Sequence, residues 1–154
     1  MYNILDLFQN LCFVSVVTAW LTAQIIKVFT GYFRNRKFSL TLLFCGTGGM
    51  PSSHSATVMA LLTSTILRYG LDGFEVAGAT LLATIVMSDA VGVRYETGVQ
   101  AKVLNNLMKE LFSGDPKKAE ANLKELIGHT PFQVLVGAIL GVAVAFGLFA
   151  IMGA

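Results

Sequence analysis

An all-α integral membrane bundle is the fold class this sequence predicts, on three observations. Hydrophobic residues are 55% of the 154 and charged residues 13%, against about 25% charged in a soluble domain. Segments 11–30, 74–93 and 131–152 are each about long enough to cross a bilayer, and their charges are Lys27, Glu75 and Asp89. Residues 38–67 contain no Asp, Glu, Lys or Arg at all. This composition excludes a disordered tail, a nucleic-acid-binding arm and an ordinary soluble enzyme. A net charge of +2 points to no nucleic acid, and a single membrane domain over 1–154 is the expectation.

Each segment follows from its local residues. Met1-Tyr2-Asn3-Ile4-Leu5-Asp6 has neither a basic n-region nor a small-residue cleavage site, so the first apolar run reads as a retained span and not a signal peptide. That span, 11–30, meets a basic, aromatic border at Gly31-Tyr32-Phe33-Arg34-Asn35-Arg36-Lys37. The uncharged run beyond it is interrupted by Gly46-Thr47-Gly48-Gly49-Met50-Pro51, and glycines and proline break helices. Residues 38–51 then form a re-entrant piece, whose irregular backbone must face protein or water. A helix restarts at Ser52 or Ser53 and crosses to residue 69.

Gly70-Leu71-Asp72-Gly73 is a turn. The next crossing, 74–93, leads into a polar interfacial helical segment, 95–127. There Val99, Val103, Leu104, Leu107, Met108, Leu111 and Phe112 recur at helical spacing. Ser113-Gly114-Asp115-Pro116 interrupts that segment, with Asp115 as N-cap before Pro116. The last span, 131–152, carries Gly137 and Gly141 in a small-xxx-small pattern for close helix packing, a face that also suits a homodimer. Cys12 and Cys45 lie in apolar stretches and offer neither a disulfide framework nor metal-ligand spacing.

Four crossings and one re-entrant piece bring Lys27, Arg34, Arg36, Lys37, Arg94, Lys102, Lys109, Lys117, Lys118 and Lys124 to one face and leave Arg68 at the other. By the positive-inside rule the basic face is cytoplasmic and both termini are outside. The same face collects both histidines. His54 falls in the first turn of the restarted helix, and His129 just before the last one. Helix starts present free N–H groups and a positive dipole end, so they suit anions. With Lys27, Arg34 and Arg94 beside them, the two imidazoles make a phosphate cradle. The alternative for each is a hydrogen-bonded packing role.

These motifs also carry a resemblance. Met50-Pro51-Ser52-Ser53-His54-Ser55 resembles the Pro-Ser-Gly-His motif of the type-2 phosphatidic acid phosphatase and vanadium haloperoxidase superfamily, and Lys27 and Arg34 have its Lys-x6-Arg spacing. With Asp89-Ala90-Val91-Gly92-Val93-Arg94 and Gly128-His129-Thr130-Pro131 added, nearly the whole chain resembles the small divergent bacterial and plant branch of integral membrane proteins. The resemblance implies a multi-pass protein of a bacterial plasma membrane that hydrolyses a lipid phosphate or diphosphate. His129 would be the nucleophile that forms a phospho-enzyme, and His54 the general acid on the leaving oxygen. Lys27 and Arg34 would hold the phosphoryl oxygens, with Ser52 and Ser53 at the helix start, and no metal or cofactor is implied. Imidazole chemistry suits both histidine roles near neutral pH.

Four departures accompany the likeness. Asn35 stands where the motif has Pro, Ser53 where it has Gly, and Asn122-Leu123 where it has Ser-Arg. Arg94 is the substitute cation that topology offers. Gln133 stands where an Asp orients the nucleophile; an amide accepts a hydrogen bond but cannot stabilise an imidazolium by charge. Thr130-Pro131-Phe132-Gln133 equally fits a capping box, and Ser52 or Ser53 an N-cap. Asp89, a carboxylate in or at the end of a span, is a functional candidate by default. It either orients His129 or His54 or pairs with Lys27 or Arg94. Glu96 and Gln100, at +7 and +11 from Asp89, read as polar lining of the site mouth. Two further functions compete with the enzyme: an anionic-lipid-binding scaffold that has lost turnover, and a lipid transporter, since broken helices aimed at an anion are a transporter device too.

Overall fold

In the computed structural model the described residues are 3–35, 50–111 and 129–152, without the side chains of 32–35 and 94. Every regular element among them is helical. A short 3-10 helix, Ile4–Gln9, precedes α1 (Leu11–Asn35), α2 (Ser53–Tyr69), α3 (Phe74–Val91), α4 (Val93–Leu111) and α5 (Pro131–Met152). The re-entrant piece before Met50, and 112–128 with the Asp115–Pro116 cap, lie outside the described residues.

α2 is the centre of the bundle, and α1, α3 and α5 all pack against it. α1 runs antiparallel to it. Cys12 Sγ lies 3.7 Å from Thr65 Oγ1 at one end, and Lys27 Nζ donates to Ser53 Oγ at the other. α5 runs parallel to α2, with Gly137 against Ser52 and Gly141 against Ala56 and Ala60.

What permits this closeness is a four-residue repeat of small side chains on all three helices. Ser15, Ala19 and Ala23 on α1 are buried, as are Ala56, Ala60 and Ser64 on α2 and Gly137, Gly141 and Ala145 on α5. A Cβ on Gly141 would overlap the Ala56 carbonyl oxygen and come within 2.9 Å of Ala60 N, and one on Gly137 would overlap the Ser52 carbonyl oxygen. The two backbones are therefore in direct van der Waals contact, as small-residue packing in membranes allows. The glycine face expected to suit a homodimer is instead covered by α2 of the same chain.

Large apolar side chains point the other way. Leu21, Ile25 and Phe29 on α1, Leu81 and Ile85 on α3, and Leu135, Ile139 and Phe146 on α5 are exposed. Small residues inside and large apolar ones outside invert the order of a soluble protein and call for an apolar surrounding. Three described runs are long and apolar enough to cross a membrane: Leu11–Gly31, Phe74–Leu111 and Pro131–Met152. α2, with 17 residues, is about 25 Å long at ~1.5 Å per residue, about one turn short of a ~30 Å hydrocarbon core.

Sequence periodicity carries one helix through residue 93, but the structure breaks it at Gly92. That residue leaves helical geometry (φ −90°, ψ −93°) while its N–H closes the last turn of α3 on Ser88 O at 2.8 Å. A face counted from Asp89 does not continue across this break, so Glu96 and Gln100 do not extend Asp89's face; both are exposed on α4.

The end of α2 away from Lys27 is simpler. Gly70 takes a left-handed φ of +79° and donates its N–H to Ile66 O at 2.9 Å, closing α2. Tyr69, Leu71 and Phe74 around the turn are exposed. On the same side, Asn3 and Asp6 form a capping box over the 3-10 helix, and Phe8 packs edge-on against Phe13 with ring centroids 6.0 Å apart.

Candidate functional site

The start of α2 is fixed by hydroxyl chemistry. Ser52 is the N-cap in extended geometry; its Oγ accepts from Ser55 N at 3.3 Å and from Ser55 Oγ at 3.0 Å. Its backbone N–H donates to Gln133 O at 3.1 Å, which ties α2 to the first turn of α5. Ser53, the next residue, accepts from Lys27 Nζ at 3.0 Å, and both side chains are buried. Thr30 Oγ1 sits 3.1 Å from both Lys27 O and Met50 O and so latches the end of α1 to the approach to α2. The ammonium of Lys27 is thereby placed at the positive end of the α2 dipole, an arrangement that attracts an anion to the same point.

His54 follows in the first turn and is exposed. His129 is buried, with its ring centroid 6.2 Å from that of His54 and the planes 58° apart. The His129 backbone N–H donates to Ala90 O at 3.3 Å, so the last turn of α3 holds the loop that carries it. Asp89, adjacent to that carbonyl, is half-buried.

Gln133 meets both of its sequence-level roles at once. Its N–H approaches Thr130 Oγ1 at 3.4 Å while its Oε1 accepts from Thr130 N at 3.2 Å, the two halves of a capping box. The same Oε1 lies 3.2 Å from His129 Nδ1. Since a backbone N–H can only donate, the atom facing Thr130 is the amide oxygen, and the Nδ1 beside it is the protonated nitrogen of His129.

Of the residues singled out from sequence, the structure brings together His54, His129, Lys27, Ser52 and Ser53, with Asp89 one residue from the carbonyl that holds His129. Ser52 is occupied by its cap. The side chains of Arg34 and Arg94 lie outside the described residues, though their backbones are in the last turn of α1 and the first of α4. Sequence reasoning missed the Thr30 latch, the Ser55 hydroxyl and the Gln133 carbonyl. Of these only Ser55 had a visible signal, the third serine around His54. No group of three potential metal ligands occurs among the described residues.

The arrangement can hold a tetrahedral oxyanion: a cation at the positive end of a helix dipole on one side, and two imidazoles flanking it. The profile of the Divergent PAP2 family matches residues 8–144, which contain all of these groups. The chain belongs to the Divergent PAP2 family. Within it, the chain is 38% identical over 148 residues to the uncharacterized membrane protein YuiD of Bacillus subtilis (strain 168), covering 90% of this chain and 93% of that one. No solved structure matches it. Membership of this family and the membrane-protein relative agree with the outward apolar faces of α1, α3 and α5 in making the chain a membrane protein.

Proposed function

We propose that the chain hydrolyses a lipid phosphate or diphosphate through a phospho-histidine, and the 6.2 Å approach of the His54 and His129 rings beside the Lys27–Ser53 pair carries this reading. With its Nδ1 proton held by Gln133, His129 attacks phosphorus through Nε2. The phosphorus–oxygen bond to the lipid breaks, and protonated His54 gives its proton to the departing oxygen. Water then attacks the phospho-histidine, His54 takes the water's proton, and inorganic phosphate leaves with His129 restored. Lys27, together with Arg34 and Arg94, neutralises the equatorial oxygens, as phosphoryl transfer requires. In this reading the chain crosses four times, α2 included, the basic face is cytoplasmic by the positive-inside rule, and the reaction belongs to the inner leaflet.

A second reading rests on Gln133. Replacing the carboxylate that orients a catalytic imidazole by an amide costs about 10⁴ in rate in a serine-protease triad. A neutral amide on His129 therefore favours a slow enzyme or an anionic-lipid scaffold, unless Asp89 supplies the missing charge. Phosphate release by the purified protein from a panel of lipid phosphates and diphosphates separates the two. His129→Ala should abolish release, and His54→Ala should lower it by about 10²–10⁴. No release by the parent protein or by a normally folded Gln133→Glu variant leaves the scaffold.

A further inference from the structure

α4 is built against the usual rule. Its inward positions are small or polar: Gly98 is buried, and Ala101 and Asn105 are 6% and 3% exposed. Its large apolar side chains turn outward, with Val103 53% and Leu107 47% exposed and Val99, Leu104 and Leu111 similarly open. A helix with water on its outer side would reverse that order. Yet α4 cannot lie across the hydrocarbon either. Arg94, Glu96, Lys102, Lys109 and Glu110 are five charges in 19 residues, and a charge near a bilayer centre costs about 2.5–3.5 kcal/mol even on the most lenient scale.

At ~100° per residue, α4 divides into three sectors. Gly98, Ala101 and Asn105 share the protein side. Lys102, Asn106 and Lys109 share a second, and Val99, Val103, Leu104 and Leu107 share the third. Gln100 is the one polar residue midway along the third sector; Glu96 and Glu110 fall near its two ends. Beyond the Gly92 break, α4 follows a helix whose Leu81 and Ile85 are exposed in a crossing segment. We propose that α4 lies in the plane of the membrane at the end where the histidines meet. Val99, Val103, Leu104 and Leu107 enter the acyl-chain boundary, and Lys102 and Lys109 extend to the lipid phosphates. Apolar side chains below and snorkelling lysines above are how an interfacial helix binds a leaflet. Because Ala90 in the last turn of α3 holds the His129 backbone, the depth of α4 also sets the depth of the imidazole pair. The burial pattern alone carries this inference, whatever the site does with a bound anion.

The test is a nitroxide scan of positions 95–111 in the full chain with Cys12 and Cys45 replaced by Ser, reconstituted in phosphatidylcholine–phosphatidylglycerol vesicles. Collisions with oxygen should peak at 99, 103, 104 and 107. Collisions with a water-soluble nickel chelate should peak at 102, 106 and 109, both with a period of about 3.6 residues, and 98, 101 and 105 should be closed to both probes. High nickel accessibility at 103 and 107 would put that face in water and overturn the proposal. High oxygen accessibility all round would make α4 a span, and low accessibility of 103 and 107 to both probes would show a protein surface covering them; either overturns it as well. Loss of phosphatase activity, or its absence throughout, leaves this readout unaffected.

Discussion

The two ends of α2 follow opposite rules. At its start, polar groups are buried: Ser52, Ser53, Ser55, Lys27 and His129 are all enclosed, each in a hydrogen bond. At its far end the buried polar groups of α2 are only the hydroxyls of Thr63, Ser64 and Thr65, of which Ser64 and Thr65 donate back to their own helix, and Tyr69, Leu71 and Phe74 are exposed around a glycine turn. Between them, Ala56 and Ala60 pack on Gly141 with almost no side chain at all. The far end and the middle need only turn chemistry and close backbones. Burying an ammonium and an imidazole is costly unless each is partnered, and a bundle this tightly packed gains no stability from doing so at one end. Among the described residues, burial of ionisable side chains, Lys27 and His129, is confined to this end, which is where the proposed chemistry would need them.

The middle is where the comparison breaks most completely. Gly141→Leu drives a side chain into the Ala56 carbonyl and Ala60 N. Backbone cannot yield as a side-chain tip can, so a loss of about 3 kcal/mol is expected, seen as a lower melting temperature by circular dichroism in detergent and a poor folded yield. Both ends should fail together.

Lys27→Met sharpens the contrast between function and stability. It removes a buried cation and leaves Ser53 a hydroxyl that can turn to a backbone carbonyl. Anion affinity, measured by phosphate inhibition or by calorimetry, should fall at least tenfold, about 1.4 kcal/mol. The melting temperature should hold or rise, because an apolar group of similar volume replaces a desolvated charge. A melting loss with unchanged affinity would make Lys27 a structural residue and erase the distinction between the ends.

Gln133→Glu keeps the capping box and adds a carboxylate to the first turn of α5, worth about 0.3–1 kcal/mol in stability. In phosphate release it should gain where the parent is slow, and Asp89→Asn should lose in the parent. Equal rates for all three would leave Gln133 a cap and nothing more. The smallest effect on activity belongs to the far end: Gly70→Ala forces a side chain onto φ +79°, ψ −167°, costing about 1–3 kcal/mol of stability with kcat/KM unchanged.

Much of this was legible in the residues. The uncharged runs and the Pro131 and Ser52 starts gave the helices, and the chain's two histidines, at two helix starts facing one way, gave the convergence of His54 and His129. Gly92 was not legible as a break, because the apolar and polar residues on either side keep helical spacing and only the backbone departs. Nor was it visible that the Gly137–Gly141 face would be covered by α2, since a small-xxx-small pattern specifies closeness and not its partner. The double role of Gln133 was hidden for a similar reason: sequence offered cap and orienter as alternatives, and one oxygen serves both.

The tie between Ser52 N and the Gln133 carbonyl bears on how the protein is made. Of the described helices, α5 leaves the ribosome last, yet it supplies the acceptor that fixes the start of α2 and closes the Ala56–Ala60 groove. Before α5 inserts, that amide faces lipid or water without its native acceptor, and hydrocarbon penalises such a group by several kcal/mol. A product truncated before residue 131 should therefore leave Ser52 N and the Ala56–Ala60 groove uncovered and fail to reach a folded yield in detergent.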